Sequence, residues 1–250
     1  MSFSDFNFTV YHFNYTESTN IHALEAIHAK KAKNGDIFWT DYQTKGKGQR
    51  GGFWKANKGE NLLFSLVLEP NLSVEKQFYL SMIAALSVHD LLLHIGIEKV
   101  KVKWPNDVLV DGKKIAGILI ENSLQGSKIN YSIIGIGLNV NQVDFKEVDR
   151  KATSIALELH SEHRVKTIFG LWQDAFRPYY DWYLNNAWEK IKDYYLKSLF
   201  AYQTPYRFKD DSGEFIASII GIEESGKLLL RKNSEIRSYN LKEVKFIAEV

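Results

Sequence analysis

The 250-residue chain contains no cysteine. That absence removes disulfides, zinc–thiolate sites and thiol nucleophiles together, and it suits a reducing, cytoplasmic compartment. No apolar run approaches the roughly 18 to 20 residues that span a bilayer, so no membrane partner is expected. The chain opens Met1-Ser2-Phe3-Ser4-Asp5-Phe6, without the basic and then apolar regions of a secretory leader. An excess of one charge is missing as well: 32 Lys and Arg stand against 30 Asp and Glu, a net +2. Nothing in that balance calls for a nucleic acid, and attraction for an anion has to come from local placement of cations. Internal repeats and low-complexity stretches are absent. What remains is ordinary globular material, 45% hydrophobic and 25% charged, long enough to bury a substantial core without covalent staples.

Ser18 is a good N-cap, and a helix is expected from there to Asn34-Gly35, with Leu24 and Ile27 on its buried side and lysines in its last turn. A strand follows at residues 36–40, then a polar, glycine-dense stretch from 41 to 52 that cannot be a regular element. Residues 62–68 read as a strand covered on both faces. Residues 73–94 have helical periodicity, with Phe78, Met82, Ala85 and Val88 on one side and a stop at Gly96. Alternating Lys and Val at 99–103 marks a half-buried strand. One hairpin turns at Asp111-Gly112 and another near Gln125-Gly126, the latter joining 115–121 to 129–138. An exposed edge on 129–138 would serve a homodimer or a docking acceptor. Residues 167 to about 199 are helical and rich in aromatics (Trp172, Phe176, Tyr180, Tyr183, Trp188), with an interruption at Pro178. From Pro205 onward, short strands with turns at 211–213 and 224–226 suit a small barrel. The expected fold is a mixed-sheet α/β domain over 1–198 followed by an SH3-like β domain over 199–250.

Four segments carry chemistry. The loop Lys45-Gly46-Lys47-Gly48-Gln49-Arg50-Gly51-Gly52 sets four glycines among three cations, so backbone N–H groups and positive charge would meet a phosphate. It is not a P-loop, since no Gly-Lys-Ser or Gly-Lys-Thr follows, and a solvated turn is the plain alternative. In the second, Lys103-Trp104-Pro105-Asn106-Asp107 ends a strand and Asp111-Gly112-Lys113-Lys114 returns. A hairpin there brings Lys114 towards Asp107, a pair suited to a magnesium-bound nucleotide and a second anion, or else merely solvated charges. Third, Gly135-Ile136-Gly137-Leu138-Asn139 puts glycines inside an apolar strand, marking a bulge or a close approach by a ligand or another backbone. Asn139 would offer its amide to an adenine edge. The fourth, Glu17-Ser18-Thr19-Asn20, is a helix cap or a set of hydroxyls aimed at a small polar head group.

Taken together and in this order, the four segments resemble the catalytic domain of bacterial-type biotin–protein ligases. That family carries Ser-Thr-Asn at its first helix, a Gly-Arg-Gly-Arg-Arg-Gly-like loop, Lys-Trp-Pro-Asn-Asp, a Lys-hydrophobic-Ala-Gly-Ile-Leu run, and Gly-hydrophobic-Gly-hydrophobic-Asn. The resemblance covers about residues 15 to 141. It implies a biotin site formed by Ser18, Thr19, Gln43, the Gly46, Lys47, Gly48 and Gln49 loop and Lys114, with Asn20 and Gly117 as further binding residues. It further implies that Arg50, Trp54, Asn106, Asp107 and Asn139 surround ATP or the adenylate. Lys114, Arg50 and Asp107 are the expected catalytic groups, with Mg2+ accompanying ATP and no protein ligand for it identified. The implied partner is the acceptor lysine of a biotin carboxyl carrier protein. The chain differs in having Lys47 and Gln49 where the family has arginines, which loses the planar fork at one position and the charge at the other. Too few residues precede Ser18 for the helix-turn-helix of the bifunctional members, so the monofunctional type is expected. Lipoate–protein ligase shares the adenylate chemistry and is the nearest rival. A non-catalytic SH3-like interaction protein is the second, and a cysteine-dependent octanoyl transferase is excluded.

Overall fold

The computed structural model describes residues 6–146 and 151–249, without the side chains of Arg50, Ala248 and Glu249. Most of the reading of the chain's start, over residues 1–5, therefore lies outside the described residues. Eight strands form the main sheet: β1 (Thr9–Phe13), β2 (Asp36–Thr40), β3 (Asn61–Leu68), β4 (Leu72–Ser73), β5 (Val100–Lys103), β6 (Asp107–Val110), β7 (Lys113–Gln125) and β8 (Lys128–Asn139). Their order is β1-β2-β3-β8-β7-β6-β5, with the short β4 paired to β8. Only β1 and β2 run parallel; the other pairings are antiparallel.

Side chains alternate between the two faces of a strand, so parity decides what each face can hold. On one face Leu62, Phe64, Leu66, Leu68, Ile118, Ile134, Ile136 and Leu138 join the principal core. Helices α2 (Phe78–His94), α4 (Val165–Leu184) and α5 (Trp188–Ser198) belong to that core. α2 is buried almost all round, which is why its sequence shows little amphipathy. α4 presents Trp172, Phe176, Tyr180 and Tyr183 in a ladder with successive ring centroids 5.2 to 5.6 Å apart. Pro178 does not interrupt this helix. It stands with Asp174 on the exposed side, so the carbonyl that proline leaves unpaired is on the solvent face rather than in the core. The break comes instead at residues 185–187, with Asn186 in left-handed conformation.

The opposite face of the sheet carries the single helix α1 (Thr19–His28). It ends seven residues before Gly35, because Lys30 adopts φ +56° and the Lys30 and Lys31 amides close onto Ile27 O and Ala26 O. That is a Schellman cap formed without glycine, so the sequence carried no stop signal there, and the lysines fall beyond the helix. The buried stripe is Thr19, Asn20 and Ala23, with Ile27 half-buried; Leu24 is exposed, contrary to the sequence expectation.

The exposed strand β1, the short β4 and the five-residue helix α3 (Ile155–Leu159), capped by Ser154, escaped the sequence reading, and α2 begins at Phe78 rather than at residue 73, behind β4 and a 3-10 turn at Val74–Lys76. The strand proposed as an exposed edge, 129–138, is interior, flanked by β3 and β7. Its unbroken Ile and Gly run reflects burial on both faces. The turn residues Asp111 and Gly112 both have positive φ, as a tight hairpin needs. Beyond α5, strands β9 (Pro205–Asp210), β10 (Gly213–Ile222), β11 (Leu228–Lys232), β12 (Glu235–Tyr239) and β13 (Lys245–Glu249) form a second sheet in the order β12-β11-β10-β9-β13.

Candidate active site

The α1 side of the sheet has a floor in which glycine replaces the expected aliphatic residues. Gly117 of β7 pairs with Gly137 of β8, Leu119 with Gly135, and Gly135 in turn with Ser65 of β3. A Cβ on Gly137 would lie 2.4 Å from the Trp54 ring, and one on Gly117 would lie 2.8 Å from it. A Cβ on Gly135 would lie 2.1 Å from Asn20 Oδ1. The close approaches expected at these glycines are therefore made by an indole and an amide. The Trp54 ring lies on the paired glycines, and its Nε1 is buried without a hydrogen-bond partner among the described residues.

Lys114 reaches this floor through a bulge. Three residues separate it from Gly117, so in a regular strand the two would face opposite sides. Val108 stands opposite Ala116 and Leu109 opposite Lys114, leaving Ile115 as the extra residue. The shift turns Lys114 Nζ to within 2.5 Å of Asp107 Oδ1 and 5.4 Å of the Trp54 ring centroid. Both charged groups are largely buried, with side chains 23% and 12% exposed. The backbone of Lys114 is clamped by Lys114 N–Lys151 O at 3.0 Å and Thr153 N–Lys114 O at 2.9 Å. Asn139 holds that clamp, its Nδ2 donating to Thr153 O at 2.9 Å. Asn106 fastens the start of β6 to β7, through Asn106 Nδ2–Ile118 O at 2.8 Å and Ile118 N–Asn106 O at 2.9 Å.

One cavity gathers Ser18, Thr19, Asn20, Gln43, Lys47, Gly48, Gln49, Trp54, Asn106, Lys114 and Gly117, with Phe53, Gly135 and Gly137 besides. Its free volume is about 70 Å3, room for waters but for no bicyclic ligand while Trp54 stays on the glycine floor. Gly46 lies outside it and lines a wider adjoining cavity of about 640 Å3, which shares Gln43, Phe53 and Trp54 and is also bordered by Lys45, Lys55 and Lys146. Asp107 and Asn139 line neither cavity; both are buried, and Asp107 meets the cavity only through its pairing with Lys114. The Arg50 side chain lies outside the described residues.

The glycine loop folds on itself. Gly48 N donates to Gly52 O at 2.7 Å and Gly52 N to Gln49 O at 3.1 Å, around a three-residue 3-10 turn at Gln49–Gly51. Those two N–H groups are engaged within the loop, so its offer to an anion comes from Lys47 and from the remaining amides. Ser18 occupies the N-cap of α1 with no capping bond from its side chain, which leaves the hydroxyl to the cavity. Sequence reading missed Phe53, Ser65 and Glu121. Ser65 carried a usable signal, being the polar break in the apolar run Leu62-Leu63-Phe64-Ser65-Leu66-Val67-Leu68. Among the described residues, no three His, Cys, Asp or Glu side chains come together as a metal site, and no helix is long and apolar enough to cross a membrane.

Residues 12–139, half of the chain, match the biotin/lipoate A/B protein ligase family. The chain belongs to that family. Among the family's named proteins, a biotin–[acetyl-CoA-carboxylase] ligase of Paracoccus denitrificans is 31% identical over 229 residues, covering 86% of this chain and 91% of that one. The bifunctional ligase/repressor BirA of Bacillus subtilis is 30% identical over 209 residues, 82% of this chain. The chain spans only 64% of that relative's length. The structure of a biotin protein ligase from Aquifex aeolicus in complex with biotin and ATP superposes with a TM-score of 0.79, at 23% identity, over 96% of this chain and 99% of that one. That likeness establishes the family fold, mixed sheet, packed helices and C-terminal β sheet included.

Proposed function

We propose that the chain is an ATP-dependent biotin–protein ligase, which forms biotinyl-5′-AMP and passes biotin to a lysine of a biotin carboxyl carrier protein. The observation that carries this reading is Lys114, paired with Asp107 at its back and lining, beside a glycine floor, the same cavity as Ser18, Thr19 and Gln43. The biotin carboxylate attacks the α-phosphorus of ATP and pyrophosphate leaves. Two anions must approach each other, so positive charge has to be in place beforehand. Lys114 supplies it, moving from Asp107 to bridge the carboxylate and the α-phosphate, with Lys47 and Arg50 on outer phosphate oxygens. Magnesium belongs to the substrate as the counter-ion of the triphosphate.

Ligand entry requires the Trp54 indole to leave Gly117 and Gly137, and the freed floor then admits a flat ring. Gln43, Thr19 and Ser18 take the polar head of biotin, and Asn139 and Asn106 act through the backbone of Lys114 and β7. In the second step the acceptor amine, with an ordinary pKa of about 10.4, attacks the carbonyl of the adenylate, forms the amide and releases AMP, and it must lose a proton; Asp107, no longer paired with Lys114, accepts or orients it. Such a reaction, drawing on ATP and a carrier protein, belongs in the cytoplasm.

The family also contains lipoate ligases, and the names of the relatives together with the polar wall at Thr19 and Gln43 favour biotin. Purified protein incubated with MgATP, biotin and lipoate, and with a biotin carboxyl carrier domain or a lipoyl domain, should add one biotin to the biotin carrier, measured by its mass, and should add no lipoate to either. Lipoylation without biotinylation would replace this reading with its rival.

A further inference from the structure

Behind the polar wall of the cavity lies a chain of hydrogen bonds from α1 across the sheet to β7. Thr19 N donates to Gln43 Oε1 at 2.8 Å, and Thr19 Oγ1 lies 3.2 Å from the same oxygen. Ser65 Oγ lies 2.7 Å from Thr19 Oγ1 and 2.6 Å from Asn20 Oδ1. Asn20 Nδ2 donates to Glu121 Oε2 at 2.7 Å, with Leu119 O at 3.5 Å. Thr19, Asn20 and Ser65 are almost wholly buried, so each proton here has few alternatives.

The direction of this chain follows from its far end. A carboxylate only accepts, so Glu121 faces the NH2 side of the Asn20 amide, and Asn20 Oδ1 turns to Ser65. That oxygen also only accepts, so the single hydroxyl proton of Ser65 goes to Asn20. Ser65 is then the acceptor in its contact with Thr19, and the Thr19 proton goes to Ser65 at 2.7 Å rather than to Gln43 Oε1 at 3.2 Å, an oxygen that Thr19 N already serves. At the cavity surface Thr19 is left with oxygen lone pairs. Gln43, its oxygen held by Thr19 N, is left with its NH2. The wall therefore offers one acceptor beside one donor, the complement of a group carrying N–H next to C=O.

We propose that Ser65 and Glu121 are positioning residues that fix the direction of the Thr19–Gln43 wall, so that the cavity selects a cyclic urea by its N–H and C=O together. The inference rests on the biotin reading and adds the means of selection. Gly135 belongs to the same device, since only glycine leaves room for the Asn20 amide.

The test measures biotin dissociation constants by calorimetry and KM for biotin and ATP in the parent, Ser65→Ala, Glu121→Met and Glu121→Gln. A second ligand, 2-iminobiotin, presents donors where the urea carbonyl accepts. Ser65→Ala and Glu121→Met should weaken biotin binding about tenfold, the scale of one reorganised hydrogen bond, with the KM for ATP unchanged and the preference for biotin over iminobiotin reduced. Glu121→Gln retains an acceptor oxygen for Asn20 and should restore most of the affinity and the preference. Should Ser65→Ala fail to fold, the two Glu121 variants, at an exposed position, decide the matter. Unaltered biotin affinity and unaltered preference in the variants, with or without a lower melting temperature, would overturn the assignment while leaving the ligase reading intact. A parent protein that fails to bind biotin removes that reading and the inference with it.

Discussion

Lys114 owes its place to a single extra residue in β7. Removing its ammonium while keeping the strand isolates its chemistry, so Lys114→Ala should fold normally and lose biotin adenylation by orders of magnitude. Near-parent rates of adenylate formation in that variant would dismiss the assigned role. Gly137 is a second critical position. An added methyl at 2.4 Å from the indole cannot coexist with Trp54 on the floor, and overpacking of this kind costs about 1–3 kcal/mol unless the ring leaves. Gly137→Ala should therefore release Trp54 and red-shift tryptophan emission, and Trp54→Phe should abolish that shift; an unshifted spectrum would mean the ring never rested there. At this scale the hairpin at Asp111-Gly112 made the approach of Lys114 to Asp107 legible, and the resemblance grouped Ser18, Thr19, Gln43 and Lys114, which line one cavity. Ser65 and Glu121 were not legible in the same way. Their partners lie about 45 and 100 residues away in the chain, on elements whose facing only the assembled sheet defines.

Elements with strong periodicity or clear turn chemistry, such as β3, α2 and both hairpins of the main sheet, were readable because local signals and tertiary burial agree. α1 and α4 were misjudged where they disagree: a lysine takes the left-handed cap position, and a proline is tolerated on a solvated helix face. The packing of α2 against α4 includes a polar cluster. Tyr179 donates to Asp90 Oδ2, and His89 Nδ1 pairs with Asp90 Oδ1 at 2.8 Å. Burial works to raise the Asp90 pKa, but the bonds from His89 and Tyr179 outweigh it and hold the carboxyl below its ordinary value. Tyr179 itself is pushed well up by burial and by Asp90. A carboxylate with a lowered folded pKa stabilises fully above its ordinary pKa of about 4 and loses that contribution as pH falls through the lower folded value. Tyr179→Phe should cost about 0.5–1.5 kcal/mol at neutral pH, and the gap in melting temperature between parent and variant should narrow below about pH 4. A gap that stays constant with pH would contradict the ionised-carboxylate account.

Across the whole molecule, the motif tryptophan is structural. Trp104 is buried, and its Nε1 donates to Gly226 O at 2.9 Å, tying the end of β5 to the turn between β10 and β11. Phe78 of α2 packs at the same glycine. Trp104→Phe should lower stability by about 1 kcal/mol through the lost bond, measurable by urea denaturation; unaltered stability would show that the two sheets are held by other contacts. The small C-terminal sheet was visible in the shift from long helices to short strands with regular turns, whereas its docking on the main sheet was not, because a contact such as Trp104 Nε1–Gly226 O joins residues 122 positions apart. The same sheet faces that bury the core on the helix side leave glycine, serine and a lysine–aspartate pair on the other, and the account as a whole depends on that second face being an acyl-adenylate site. The most direct test is the exchange of labelled pyrophosphate into ATP by the parent and by Lys114→Ala, with biotin or lipoate present. Exchange that requires biotin, is not supported by lipoate and disappears in Lys114→Ala is the predicted result; exchange that proceeds without biotin, or that survives the loss of Lys114, contradicts it.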